Sequence, residues 1–210
     1  MKKKILISCV LIFVICITMN TLAFAATTLK YWYANTNEVR FIANDASYSI
    51  YNYSANRTFE SQFKNSVTSA AGQWSNVLPI NIYETSANRS LNLISGGTYD
   101  QLKDLFPDLS TNLAGKTEPG STEYQATVLY GYANKDVYRY TSGSRYCVVE
   151  RDGASYSDYK YTATHEMGHM LGWHGHSNNL SDLMYGGTNG GKSLTDRDIN
   201  HIKQIYDLFR

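Results

Sequence analysis

His165-Glu166-Met167-Gly168-His169-Met170-Leu171-Gly172-Trp173-His174-Gly175-His176 is the stretch that organises the reading of this 210-residue chain. Residues four apart on a helix share a face one turn apart, so His165 and His169 can turn two imidazoles toward one ion. Zinc takes neutral imidazole nitrogen at ~2.0–2.1 Å, and its catalytic sites use three protein donors with a fourth position left to water. Glu166 follows the first of these histidines and has no ligand duty. A carboxylate so placed can act as general base toward that water and later return a proton to a leaving amine. A bare His-Glu-x-x-His also arises by chance, with the histidines merely part-buried or solvated. The continuation favours the metal: Gly172 supplies a helix stop where the chain must turn back, and His174 and His176 follow.

On these residues the chain resembles the metzincin metallopeptidases, whose pattern is His-Glu-x-x-His-x-x-Gly-x-x-His followed by a Met-containing turn. Gly175 stands where that pattern has its third His, flanked by His174 and His176, and either could ligate. His176-Ser177 resembles the His-Ser pair of the matrixins, and Ser181-Asp182-Leu183-Met184-Tyr185 follows at a matrixin-like distance. The resemblance therefore assigns His176 and leaves His174 a polar loop residue. The implied one-residue insertion is absorbed in a loop, where Gly175 permits unusual backbone angles.

The same resemblance implies one catalytic Zn2+ held by His165, His169 and His176, with Glu166 as the catalytic residue that activates the zinc-bound water. It makes Met184, which alone would read as an ordinary core methionine, the Met-turn residue packed under the metal. The implied activity is that of a zinc-dependent endopeptidase hydrolysing internal bonds of a protein or peptide substrate. Two other readings stay open: a secreted zinc-stabilised binding protein, and a hydrolase of cell-wall peptide cross-links.

Some family features are missing. Every histidine lies at or after His165, so the upstream structural zinc site of animal matrixins cannot be built. No cysteine lies between Ala25 and Cys147, which excludes a cysteine-switch propeptide. Tyr185-Gly186-Gly187-Thr188 stands where matrixins usually carry a Pro and a second Tyr against the specificity pocket, so the preferred substrate residue is left open. Calcium is possible but unsupported: Asp100, Asp104, Asp108, Asp152 and Asp158 sit in or near loops without cage spacing and read as solvated carboxylates.

At the start of the chain, Met1-Lys2-Lys3-Lys4, an apolar run from Ile5 to Ile17 and Ala23-Phe24-Ala25 make a secretory signal peptide over 1–25, too short in its apolar part for a membrane anchor. Its cleavage removes three of 19 basic and none of 18 acidic residues. The remaining charge, near −2, implies no nucleic acid partner. Cys147 is left as the only cysteine and reads as a small buried apolar side chain. Residues 26–210 are expected to form a single secreted domain, a monomer without stable membrane insertion, whose lysine-rich start fits bacterial export and a cell-surface location.

The expected fold is α/β: a twisted mixed five-stranded sheet, a long helix and the zinc-motif helix, and a small C-terminal subdomain with the Met-turn and a closing helix. Glu38–Ile42, Pro79–Glu84 and Leu91–Ser95 alternate as strands, and Gln125–Tyr132 and Tyr146–Glu150 supply two more. Phe59, Phe63, Val67, Ala70 and Trp74 line one face of the long helix. The motif helix runs from about Tyr159 to Gly172, and Thr195 with Asp198 caps the closing helix. Residues 96–121 read as a surface excursion and His201 as solvent-facing, while the resemblance to matrixins implies that Gln125–Tyr132 is the edge strand by the cleft.

Overall fold

The structure, a computed structural model, describes residues 27–187 and 190–210; the segment read as a signal peptide lies outside them. In chain order the elements are β1 (Glu38–Phe41), β2 (Ala46–Asn52), α1 (Arg57–Ser75), β3 (Ile82–Glu84), β4 (Asn92–Gly97), α2 (Tyr99–Leu102), β5 (Gly115–Glu118), β6 (Thr122–Tyr130), β7 (Ala133–Tyr140), β8 (Arg145–Val149), α3 (Tyr156–Leu171) and α4 (Asp196–Phe209). None of the described helices is long and apolar enough to cross a membrane.

The main sheet is five-stranded and mixed, in the order β3-β2-β4-β8-β5. The first four strands are parallel, and β5 closes the edge antiparallel to β8. Parallel neighbours need crossovers, and α1 supplies the one between β2 and β3. It starts because the Asn56 side chain accepts from the free Thr58 and Phe59 amides. Its Phe59, Phe63, Val67, Ala70 and Trp74 are all buried, as the spacing requires. Burial of Phe59, Phe63 and Val67 contributes roughly 1.5–3 kcal/mol each relative to exposure. Phe63 packs so closely on β4 that a Cβ at residue 96 would lie 2.5 Å from its ring. Trp74 Nε1 donates to the Thr164 carbonyl at 2.9 Å and ties α1 to α3.

Three expectations need correction. Glu38–Ile42 forms a strand, but not in the main sheet: β1 runs parallel to β7, which pairs antiparallel with β6 in a separate three-stranded sheet. The main sheet instead includes two strands that the sequence pattern does not announce, β2 and β5; in β2, Ser47 and Ser49 are buried together with Tyr48, so its polarity does not follow the solvent. Gln125–Tyr132 accordingly lies in the β6–β7 hairpin and is not the edge of the cleft; β5 is. Residues 96–121 are more than a surface excursion. They hold α2 and β5, and their Leu102, Phe106 and Leu109 form a second core with Cys147 and Val149. Burial there pushes the Cys147 thiol up to about 12, which leaves it protonated and inert.

Candidate metal centre

The motif helix begins on a capping box in which Ser155 and Asp158 satisfy each other's backbone amides. It ends at Gly172, whose φ of +117° and approach to the Arg40 carbonyl exclude a side chain. Along this helix His165 and His169 bring their Nε2 atoms 3.1 Å apart. The chain past Gly172 returns His176, with its Nε2 3.2 Å from that of His169. These three form the one group of three or more metal-capable side chains among the described residues.

The other nitrogen of each helix histidine is anchored. His165 Nδ1 lies 2.7 Å from the Leu183 carbonyl oxygen and His169 Nδ1 2.8 Å from that of Trp173. A carbonyl only accepts, so both Nδ1 atoms carry the proton and both Nε2 atoms present lone pairs. Burial holds the imidazoles in this neutral state. It lowers His165 to about 4 and His169 well below its usual value, and it lowers His176 as well.

His174 lines the same cleft but stands outside the group, its Nε2 3.3 Å from a Glu38 carboxylate oxygen. Glu166 is buried beside the histidines, and burial raises its carboxyl to about 7 against the opposing hydrogen bond from Thr117. Thr117 Oγ1 lies 2.7 Å from Glu166 Oε2. Sequence reasoning missed Thr117 because β5, on which it stands, carries Gly115-Lys116-Thr117-Glu118, with no apolar alternation to reveal it.

Beneath the group, Gly168 meets Met184 and Trp74: a Cβ there would lie 2.6 Å from Met184 Sδ and 2.9 Å from Trp74 Cζ2. The chain at Leu183 and Met184 is held from α4, because both amides donate to Asp198, at 2.9 and 3.1 Å. Asp198 is also the partner of Thr195 in the capping box of that helix. One carboxylate thus starts α4 and fixes the carbonyl that orients His165.

His201 corrects another expectation. It is fully buried, with its ring 3.8 Å from that of Trp173 and 4.7 Å from that of Trp32. The aspartates considered for calcium include Asp100, Asp108 and Asp158, which pair with Lys103, Lys116 and Lys192.

The cleft holding this group has a volume of about 560 Å³. It is bounded by β5 on one side and by Tyr185, Gly186 and Gly187 on the other. A mixed sheet, a His-Glu-x-x-His helix and a cleft along an edge strand define a zinc metallopeptidase of the metzincin kind. The chain belongs to the matrixin family, whose sequence profile matches residues 40–207. No curated protein matches it.

The family implies zinc and protein substrates, and the residues present fit the ion. Two nitrogens bearing only lone pairs repel at 3.1 Å unless a cation lies between them. A tetrahedral ion at ~2.0–2.1 Å separates its ligands by roughly 3.3–3.4 Å, close to the spacings seen.

Proposed function

We propose that the chain is a secreted endopeptidase in which His165, His169 and His176 hold one catalytic zinc and Glu166 is the general base. The observation that carries this reading is the convergence of three neutral imidazoles whose free nitrogens face one point, beside a buried carboxylate. When bound, zinc supplies Lewis acidity, lowering the pKa of a water and polarising a carbonyl.

The chain's own residues do the rest. Glu166 takes the water's proton on Oε1, the oxygen that Thr117 does not engage, and passes it to the departing amine. A carboxyl raised toward neutrality suits both directions of that transfer. The free edge of β5 receives the substrate backbone as an added strand, which presents an internal peptide bond and not a terminus. Leu113, Tyr161 and Tyr185 give the cleft an apolar lining for one substrate side chain. Met184 serves as the Met-turn residue, its thioether filling the space against Gly168 so that the helix cannot shift under its histidines. His176, Met184 and α4 form the small C-terminal part of a single domain spanning 26–210, monomeric and exported by the leader over 1–25.

Incubating the zinc-loaded protein with casein and, separately, with isolated cell-wall material tests this reading. Internal cleavage of casein that stops on chelation is expected. Release of wall peptides with casein left intact would instead support the cross-link hydrolase, and zinc binding without any cleavage would support the binding protein.

A further inference from the structure

Of the three imidazoles, His176 is the one whose position no helix fixes. His165 and His169 ride on α3, whereas His176 follows Gly175 at a φ of +75° in a loop. What holds that loop is the segment before β1. The Asn35 amide donates to the His176 carbonyl at 3.0 Å, and the His176 amide donates to Asn35 Oδ1 at 2.9 Å. One residue therefore satisfies both backbone groups of His176. Thr36 Oγ1 donates to the His174 carbonyl at 3.2 Å. Ala34 bridges to Ser177, which also bridges to Tyr185 on its other side. Residue 175 must be glycine, since a Cβ there would lie 2.5 Å from both Asn35 Oδ1 and Thr36 Cγ2.

The segment is itself tied down at a distance from the cleft. Gln204 Oε1 on α4 accepts the amides of Lys30 and Tyr31, each at 3.1 Å, and Gln204 Nε2 donates to the Tyr31 carbonyl. His201 Nδ1 accepts the Tyr33 amide at 3.3 Å, and the Trp32 ring packs edge-on to His201. Residues 28–36 thus form a strap from α4 to the loop that carries His176.

We infer that Asn35 is a positioning residue for the zinc site: with the strap it fixes the His176 loop before the ion arrives and sets how tightly the ion is kept. A loop ordered in advance does not lose backbone freedom on binding, so its donor contributes fully to affinity. The strap also accounts for the extra residue between Gly172 and His176. The lengthened loop is held at Ser177, His176 and His174 by Ala34, Asn35 and Thr36 in turn, so the third imidazole still arrives beside the other two. This inference rests on the reading of His176 as a ligand.

The test is the Zn2+ dissociation constant, read by competition with a chromogenic chelator on the full chain, for wild type, Asn35→Ala, Asn35→Asp and Gln204→Ala. Melting temperatures are taken with and without zinc. Asn35→Ala is expected to bind zinc about tenfold more weakly, in the range found when outer partners of metal ligands are removed. Asn35→Asp keeps the accepting oxygen and recovers most of that loss. Gln204→Ala touches no zinc-site residue and weakens binding to a smaller extent by loosening the strap. A purely structural Asn35 would lower both melting temperatures alike and leave the dissociation constant unchanged, and that result overturns the inference. If Asn35→Ala does not fold, an unchanged constant in Gln204→Ala overturns it. A wild type that binds no zinc refutes the assignment of the zinc site itself, whereas a wild type that binds and cleaves while every variant binds equally well removes only the role of the strap.

Discussion

The hydroxyl of Thr117 lies 2.7 Å from Oε2 of Glu166 and 3.0 Å from the carbonyl oxygen of the same residue. The contact joins the edge strand of the sheet to the motif helix at the one carboxylate among the described residues that line the cleft. It aims the carboxylate and favours its charged form, against the burial that raises its pKa.

Thr117→Val keeps the volume and deletes the donor. The charged form of Glu166 loses support, its pKa rises, and the acidic limb of kcat/KM should move to higher pH, while Thr117→Ser restores the wild-type profile. A pH–rate series on the three proteins measures this, and an acidic limb that stays put in Thr117→Val contradicts the assignment.

Gly168 allows α3 to lie against Met184 and Trp74. Gly168→Ala would place its methyl 2.6 Å from Met184 Sδ. In an exposed helix the same change would be favourable by about 1 kcal/mol, but overpacking a buried contact costs ~1–3 kcal/mol. Urea denaturation of the metal-free protein should therefore show a net loss of stability. A gain would mean that Met184 moves aside at no cost.

His201 is buried neutral. Burial, with Lys135 adding a smaller effect, lowers its pKa to about 3, from an unfolded value near 6.5. Between those values the unfolded chain binds a proton that the folded chain refuses, so stability is lost as pH falls from about 6.5 toward 3. His201→Gln keeps an acceptor within the side chain and removes the titration. Denaturation of the metal-free protein between pH 6 and 4 should lose one proton's worth of slope, at most about 1.4 kcal/mol per pH unit. An unchanged slope would mean that His201 is protonated in the fold.

The site was more legible in the sequence than the sheet. Helical spacing shows which histidines share a face, and Gly172 marks where the chain turns back, because both follow from local geometry. Thr195 and Asp198 announce the closing helix for the same reason, although the second duty of Asp198, holding Leu183 and Met184, depends on contacts 14 and 15 residues away. Strand partners are non-local throughout. Glu38–Phe41 reads as a strand, yet nothing in its alternation says that it pairs with Ala133–Tyr140 in a second sheet. Ala46–Asn52 hides because serines occupy buried positions there, Ser47 Oγ accepting the Leu91 amide and Ser49 Oγ the Ser90 hydroxyl. His201 looks like a surface residue on its own helix until the strap carrying Trp32 covers it. Asn35 and Thr117 left no local signal, since each acts on a residue more than 45 positions away.

Zinc content and casein cleavage of the chain from Ala26 onward, measured side by side with Glu166→Ala, His174→Ala and His176→Ala, test the central claim most directly. Wild type should hold one zinc and cleave. Glu166→Ala should hold the ion and lose roughly 10²–10⁴ in turnover, the usual contribution of a general base, and among the histidine variants only His176→Ala should lose metal. Undiminished cleavage by Glu166→Ala, or loss of zinc from His174→Ala with His176→Ala still loaded, would contradict the account.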